Sequence, residues 1–72
     1  MKRIKHRGSV DTKELARLIQ EGKWTRALRI AERIRSHPDL PDWFHSSRGL
    51  ILQKLGKARA ALHAYEEALV RD

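Results

Sequence analysis

Two glycines 34 residues apart, Gly22 and Gly56, each close one run of helical spacing and precede a lysine that opens another. Sliding the chain by 34 residues lays Gly22 on Gly56, Lys23 on Lys57, Ala27 on Ala61 and Leu28 on Leu62. Leu18 falls on Leu52 and Val10 on Phe44 at the same offset. Glycine accepts the left-handed backbone conformation that ends a helix, so this register predicts two helix–turn–helix units built to one plan. Apolar/polar alternation is absent and Val, Ile and Thr are too few to furnish a sheet. The expected fold class is all-α, with four helices forming two antiparallel hairpins.

Met1 to Ser9 reads as a basic, flexible N-terminal arm without periodicity. Order is expected from Val10 onward. Asp11 and Glu14 have the spacing of a capping box, and Val10 and Leu15 that of a hydrophobic staple. Leu15, Leu18 and Ile19 then give the first helix its apolar face, which Gly22 ends. The second helix is expected over about Lys23 to Arg35, with Trp24, Ala27, Leu28, Ala31 and Ile34 on one stripe and Ile30 at its edge. Pro38 and Pro41 bound a turn, because the residue before a proline is pushed out of the helical region. Asp39 or Leu40 is expected to cap the third helix, with Pro41 in its first turn. That helix carries Phe44, Leu50, Ile51, Leu52 and Leu55 and stops at Gly56. The fourth spans about Lys57 to Arg71, with Ala58, Ala61, Leu62, Tyr65, Ala68 and Leu69 expected inward.

Over about Ser9 to Asp72 the pattern resembles the tetratricopeptide repeat (TPR) family in two copies, residues 10–38 and 41–72. The second unit, "RGLILQKLGKARAALHAYEEAL", places Gly49, Leu52, Gly56, Ala61, Tyr65 and Ala68 at the family's small and large signature positions. The first, "EGKWTRALRIAERI", keeps Gly22, Trp24, Ala27 and Leu28. It departs at Leu15, where the family prefers glycine, and at Ala31, where it prefers an aromatic. Arg48 also departs, standing where the family usually has leucine. Its stem is expected to lean along the core or to leave the third helix imperfectly packed. The resemblance implies a short TPR-like superhelix, an α-solenoid. The competing architecture is a plain four-helix bundle whose glycines coincide by accident.

Seventy-two residues make one small domain, which buries only ~60% of its unfolded surface. There are no cysteines, which excludes disulfides, thiolate metal sites and cysteine nucleophiles. Apolar runs such as Leu50-Ile51-Leu52 fall far short of the ~20 residues a membrane helix needs. They are also too short for a secretory signal, so the expected location is cytoplasmic. The net charge of +7 is lopsided: residues 1–36 hold eleven basic and four acidic side chains, and residues 37–72 hold five of each. Such asymmetry points to an acidic or polyanionic partner.

No catalytic constellation emerges, and neither a cofactor nor a metal is expected. His6, His37, His45 and His63 lack i+4 partners and read as exposed or helix-terminal residues. His45, Ser46 and Ser47 are sequence neighbours that point in different directions on a helix, so no proton relay forms. Gly8-Ser9 lacks the strand–helix setting of a phosphate loop. Glu66 and Glu67 read as solvated surface. The expected function is therefore a non-enzymatic protein–protein interaction module, a scaffold or adaptor.

The resemblance implies binding in a concave groove lined by the first helix of each hairpin. Here that groove would present Thr12, Ala16, Ile19 and Gln20, then Trp43, Ser46, Ser47, Leu50 and Lys54. Thr12, Ala16 and Ser47 stand at the places where some family members hold a chaperone's C-terminal carboxylate with a lysine–asparagine clamp, so that docking is not expected. Trp43 is either an anchor for the partner or a cover over the neighbouring hairpin. On the second helix Lys23, Arg26, Arg29 and Arg33 share one face at steps of three and four. With the arm they support a second reading, a small nucleic-acid-binding protein whose affinity would fall steeply with salt. Few aromatics are spare to stack on bases, which weighs against it. Stacked repeats cover one another, and two hairpins fall below the usual three, so the chain is expected to self-associate as a homo-oligomer or to need a protein partner.

Overall fold

The computed structural model describes the backbone of residues 2–71 and the side chains of residues 11–70. Four helices follow in order: α1 Lys2–Gln20, α2 Trp24–Ile34, α3 Phe44–Lys54 and α4 Ala58–Arg71. No strand occurs among the described residues. The fold is all-α, each helix packing on the next in sequence, α1 on α2, α2 on α3 and α3 on α4.

The two glycine turns share one hydrogen-bond pattern. After α1, Gly22 N–H donates to Ile19 O at 3.0 Å and Lys23 N–H to Leu18 O at 2.9 Å. After α3, Gly56 N–H donates to Gln53 O at 3.0 Å and Lys57 N–H to Leu52 O at 2.8 Å. These paired bonds define a Schellman cap, with glycine at the left-handed position: φ is 71° at Gly22 and 77° at Gly56. The following helices open alike, Ala27 N–H donating to Lys23 O and Ala61 N–H to Lys57 O, both at 2.9 Å. The 34-residue register of the sequence is thus a register of backbone geometry at the turns.

Leu15 and Leu18 of α1, Ala27, Ala31 and Ile34 of α2, and Phe44 and Ile51 of α3 form one buried cluster. A second cluster joins Leu52 of α3 to Ala61 and Ala64 of α4. Leu28 packs against both, which makes it the apolar link between hairpins. Each large aliphatic or aromatic side chain fully removed from water stabilises the fold by roughly 1.5–3 kcal/mol before entropy is counted.

Several expectations are corrected. Helix α1 passes without a break through Asp11, so Asp11 is not its cap; its carboxylate meets Arg33 of α2 at 3.3 Å, while Glu14 pairs with Arg17. The arm proposed over residues 1–9 has its side chains outside the described residues. Helix α3 starts at Phe44, later than expected, because a tight turn in which Phe44 N–H donates to Pro41 O at 3.0 Å precedes it. In α4 the inward side is Ala61 and Ala64, with Tyr65 and Ala68 half-buried, whereas Ala58, Leu62 and Leu69 are exposed. Helix α4 packs mainly on α3, with Leu28 of α2 also against the cluster that holds Ala61 and Ala64, so its buried arc is narrow, and the residues a quarter-turn further round face outward.

Candidate functional site

The groove residues are surface side chains of differing accessibility. On α1, Thr12 and Ile19 are half-buried and Ala16 and Gln20 exposed; on α3, Ser47 and Leu50 are half-buried and Ser46 and Lys54 exposed. Ile19 packs on the main core cluster, so only part of it faces outward. Ser46 Oγ donates back to Trp43 O at 3.2 Å, which ties the residue to the first turn of its own helix. Trp43 itself is 38% exposed just before α3.

Lys54, at the end of α3, holds its Nζ 5.9 Å from the ring centroid of Trp24, at the start of α2. A cation above an indole face is attracted by the ring quadrupole, so this groove residue also joins the two hairpins. Beside it a cleft of about 350 Å³ is lined by Gly22, Lys23, Trp24, Thr25, Arg26 and Leu55. A half-buried aromatic under one lysine, beside a cleft that Lys23 and Arg26 also line, sits at the turn end of the molecule.

Arg26, Arg29 and Arg33 are exposed on the side of α2 away from Ala27, Ala31 and Ile34, whereas Lys23, also exposed, stands at the N-cap before the helix and outside that stripe. These charges are partly neutralised. Arg33 meets Asp11, and Lys23 Nζ lies 3.4 Å from Glu21, whereas Arg26 and Arg29 have no ion pair among the described residues. On the outer side of α1, Arg17 bridges Glu14 and Glu21. Its hydrogen bond holds the Glu21 carboxyl below the usual glutamate range, and the hydrogen bonds it donates to Glu14 and Glu21 raise the Arg17 guanidinium in turn.

A buried charge junction was missed in the sequence. The Arg48 side chain is 8% exposed; its Nε donates to Glu32 Oε2 at 2.9 Å and its Nη2 lies 2.8 Å from the same oxygen. Its Nη1 is 3.9 Å from Glu67 Oε1, and His45 Nδ1 is 3.8 Å from that oxygen. Burial works against ionising Glu32, but hydrogen bonds from Arg35 and Arg48 outweigh it and lower its carboxyl below the usual range. His45 is therefore buried rather than exposed, edge-on to Phe44 at 5.1 Å between centroids. Glu67 is half-buried, not plain solvated surface. A cleft of about 860 Å³, lined in part by Arg35, Arg48, His63, Glu66 and Val70, lies along this junction. The departure of Arg48 from leucine was the one available signal; its partner Glu32 lies sixteen residues away and across a loop.

Among the described residues no three His, Asp or Glu side chains converge as a metal-binding group, and no helix is long and apolar enough to cross a membrane. No family model, curated protein or solved structure matches this chain.

Proposed function

We propose that this chain is a TPR-like, non-enzymatic protein–protein interaction module whose partner is an acidic protein or peptide segment. The segment lies along the outer surfaces of α1 and α3 and ends at the turn-end cleft. The observation that carries this reading is the cleft that Lys23 and Arg26 line together with the half-buried Trp24, whose indole Lys54 overlies. Cations set about an aromatic suit a carboxylate-bearing segment that also offers apolar contact. The duplicated turn supports the repeat reading, since it gives both hairpins one plan.

The nucleic-acid reading draws support from Arg26 and Arg29, which carry uncompensated charge, but Arg33 and Lys23 already face carboxylates. Titrating an acidic amphipathic peptide and a single-stranded oligonucleotide of equal charge, followed by tryptophan fluorescence, separates the two. The peptide is expected to bind at moderate salt and to lose at least about tenfold in affinity with Arg26→Glu. Binding to the oligonucleotide alone, with a steep salt slope, overturns the proposal in favour of the second reading.

A further inference from the structure

Ala58, Leu62, Tyr65 and Leu69 recur along α4 at steps of four, three and four, which puts them on one stripe. Leu62 is 56% and Leu69 76% exposed. Thirty-four residues earlier the same stripe is Leu28, Ala31 and Arg35 of α2. There the second hairpin covers Leu28, which is packed against the cluster of Leu52 of α3 with Ala61 and Ala64 of α4, and Glu32, the counterpart of Glu66, receives Arg48. The Leu62 side of α4 therefore repeats a surface that the fold uses as an interface, and there Leu62 and Leu69 stay exposed while Tyr65, at the edge of the stripe, leans on Gly49 of α3.

Charge placement selects what fits. A second copy stacked head to tail would bring α1 to the place that α3 takes on α2. Glu14, 34 residues before Arg48, would then meet Glu66, carboxylate against carboxylate. A parallel α4 pair would set the flanking Arg59 and Glu66 beside Ala61 and Ala68, which carry no charge. An antiparallel pair sets Leu62 against Tyr65 and Leu69 against Ala58, and brings Arg59 beside Glu66 twice by symmetry. Arg59 is exposed and has no ion pair among the described residues.

We infer that the Leu62–Tyr65–Leu69 face of α4 docks a second copy of this chain as an antiparallel, two-fold α4 pair, with Arg59 of each copy facing Glu66 of the other. This interface uses none of the residues that line the turn-end cleft and does not depend on what the groove binds.

The test is sedimentation of the full chain over a concentration series, with circular dichroism to check helix content. The expected result is a monomer–dimer equilibrium. Leu62→Glu together with Leu69→Glu abolishes the dimer, Arg59→Glu weakens it about tenfold, and Arg59→Glu with Glu66→Arg restores it to within about twofold. If the leucine variant fails to fold, the exposed charge variants still give the answer. A chain that stays monomeric at every concentration, association that continues beyond the dimer, or a charge swap that restores nothing overturns the inference.

Discussion

Gly49 of α3 lies flush against the ring of Tyr65 in α4, and a Cβ on Gly49 would stand 2.7 Å from Tyr65 Cε1. At the corresponding positions of the first hairpin the volumes are exchanged, Leu15 on the first helix and Ala31 on the second, both fully buried. Each hairpin places one large and one small residue at this crossing. Gly49→Ala is expected to cost about 1–3 kcal/mol. Gly49→Leu with Tyr65→Ala, which copies the first hairpin's pair, should regain much of what Gly49→Leu alone loses. Urea denaturation of the four chains checks it; strictly additive losses would contradict the account.

The turn glycines act through a different cause. No atom lies within 4 Å of a Cβ built on Gly22 or Gly56, so space is not at issue, but both have positive φ. Alanine at either site should cost about 1 kcal/mol, and asparagine less, because its side chain tolerates the left-handed region. Thermal melts of the two alanine variants should shift by similar amounts, as the matching caps require.

Arg48 and Glu32 cross the junction between hairpins, a place where an apolar residue would also fit. Arg48→Ala removes both the stem and the charge and should cost about 2–4 kcal/mol. Arg48→Leu fills the space while Glu32 keeps Arg35, 3.0 Å away, so its stability should equal or exceed the parent's. If leucine proves as damaging as alanine in chemical denaturation, the ion pair rather than packed volume holds the junction.

Acid should loosen the same junction. The Glu32 carboxyl titrates lower in the folded chain than in the unfolded one, so the unfolded state takes up its proton first as pH falls. The contribution is whole above the ordinary glutamate range and is lost as pH drops through the depressed folded value. Stability measured from about pH 6 to pH 3 should fall less steeply in Glu32→Gln than in the parent. Parallel profiles would show that Glu32 is not coupled to folding.

The all-α class and the two turns were legible because glycine, lysine and alanine recur in register, and that register is dictated by local backbone chemistry. Helix α2 was equally legible, since neighbours on both sides make its apolar stripe broad. Helix α4 was misjudged for the converse reason: periodicity in Leu62 and Leu69 marks an apolar face but says nothing about whether a neighbour covers it. The late start of α3 was hidden because two prolines three residues apart suit either a first helical turn or a tight turn before it. The Arg48–Glu32 junction joins residues far apart in sequence, and the contact exists only once α2 and α3 are packed. The groove residues were named from resemblance; among them Lys54 is held over Trp24 of the other hairpin.

The claim on which the rest depends is that one hairpin plan occurs twice, and a backbone-assigned solution NMR structure of the full chain tests it most directly. The account predicts positive φ at both Gly22 and Gly56, slowly exchanging amides at Lys23 and Lys57, and residues 11–34 superposing on residues 45–68. A helix that continues through either glycine, or halves that refuse to superpose, would contradict it.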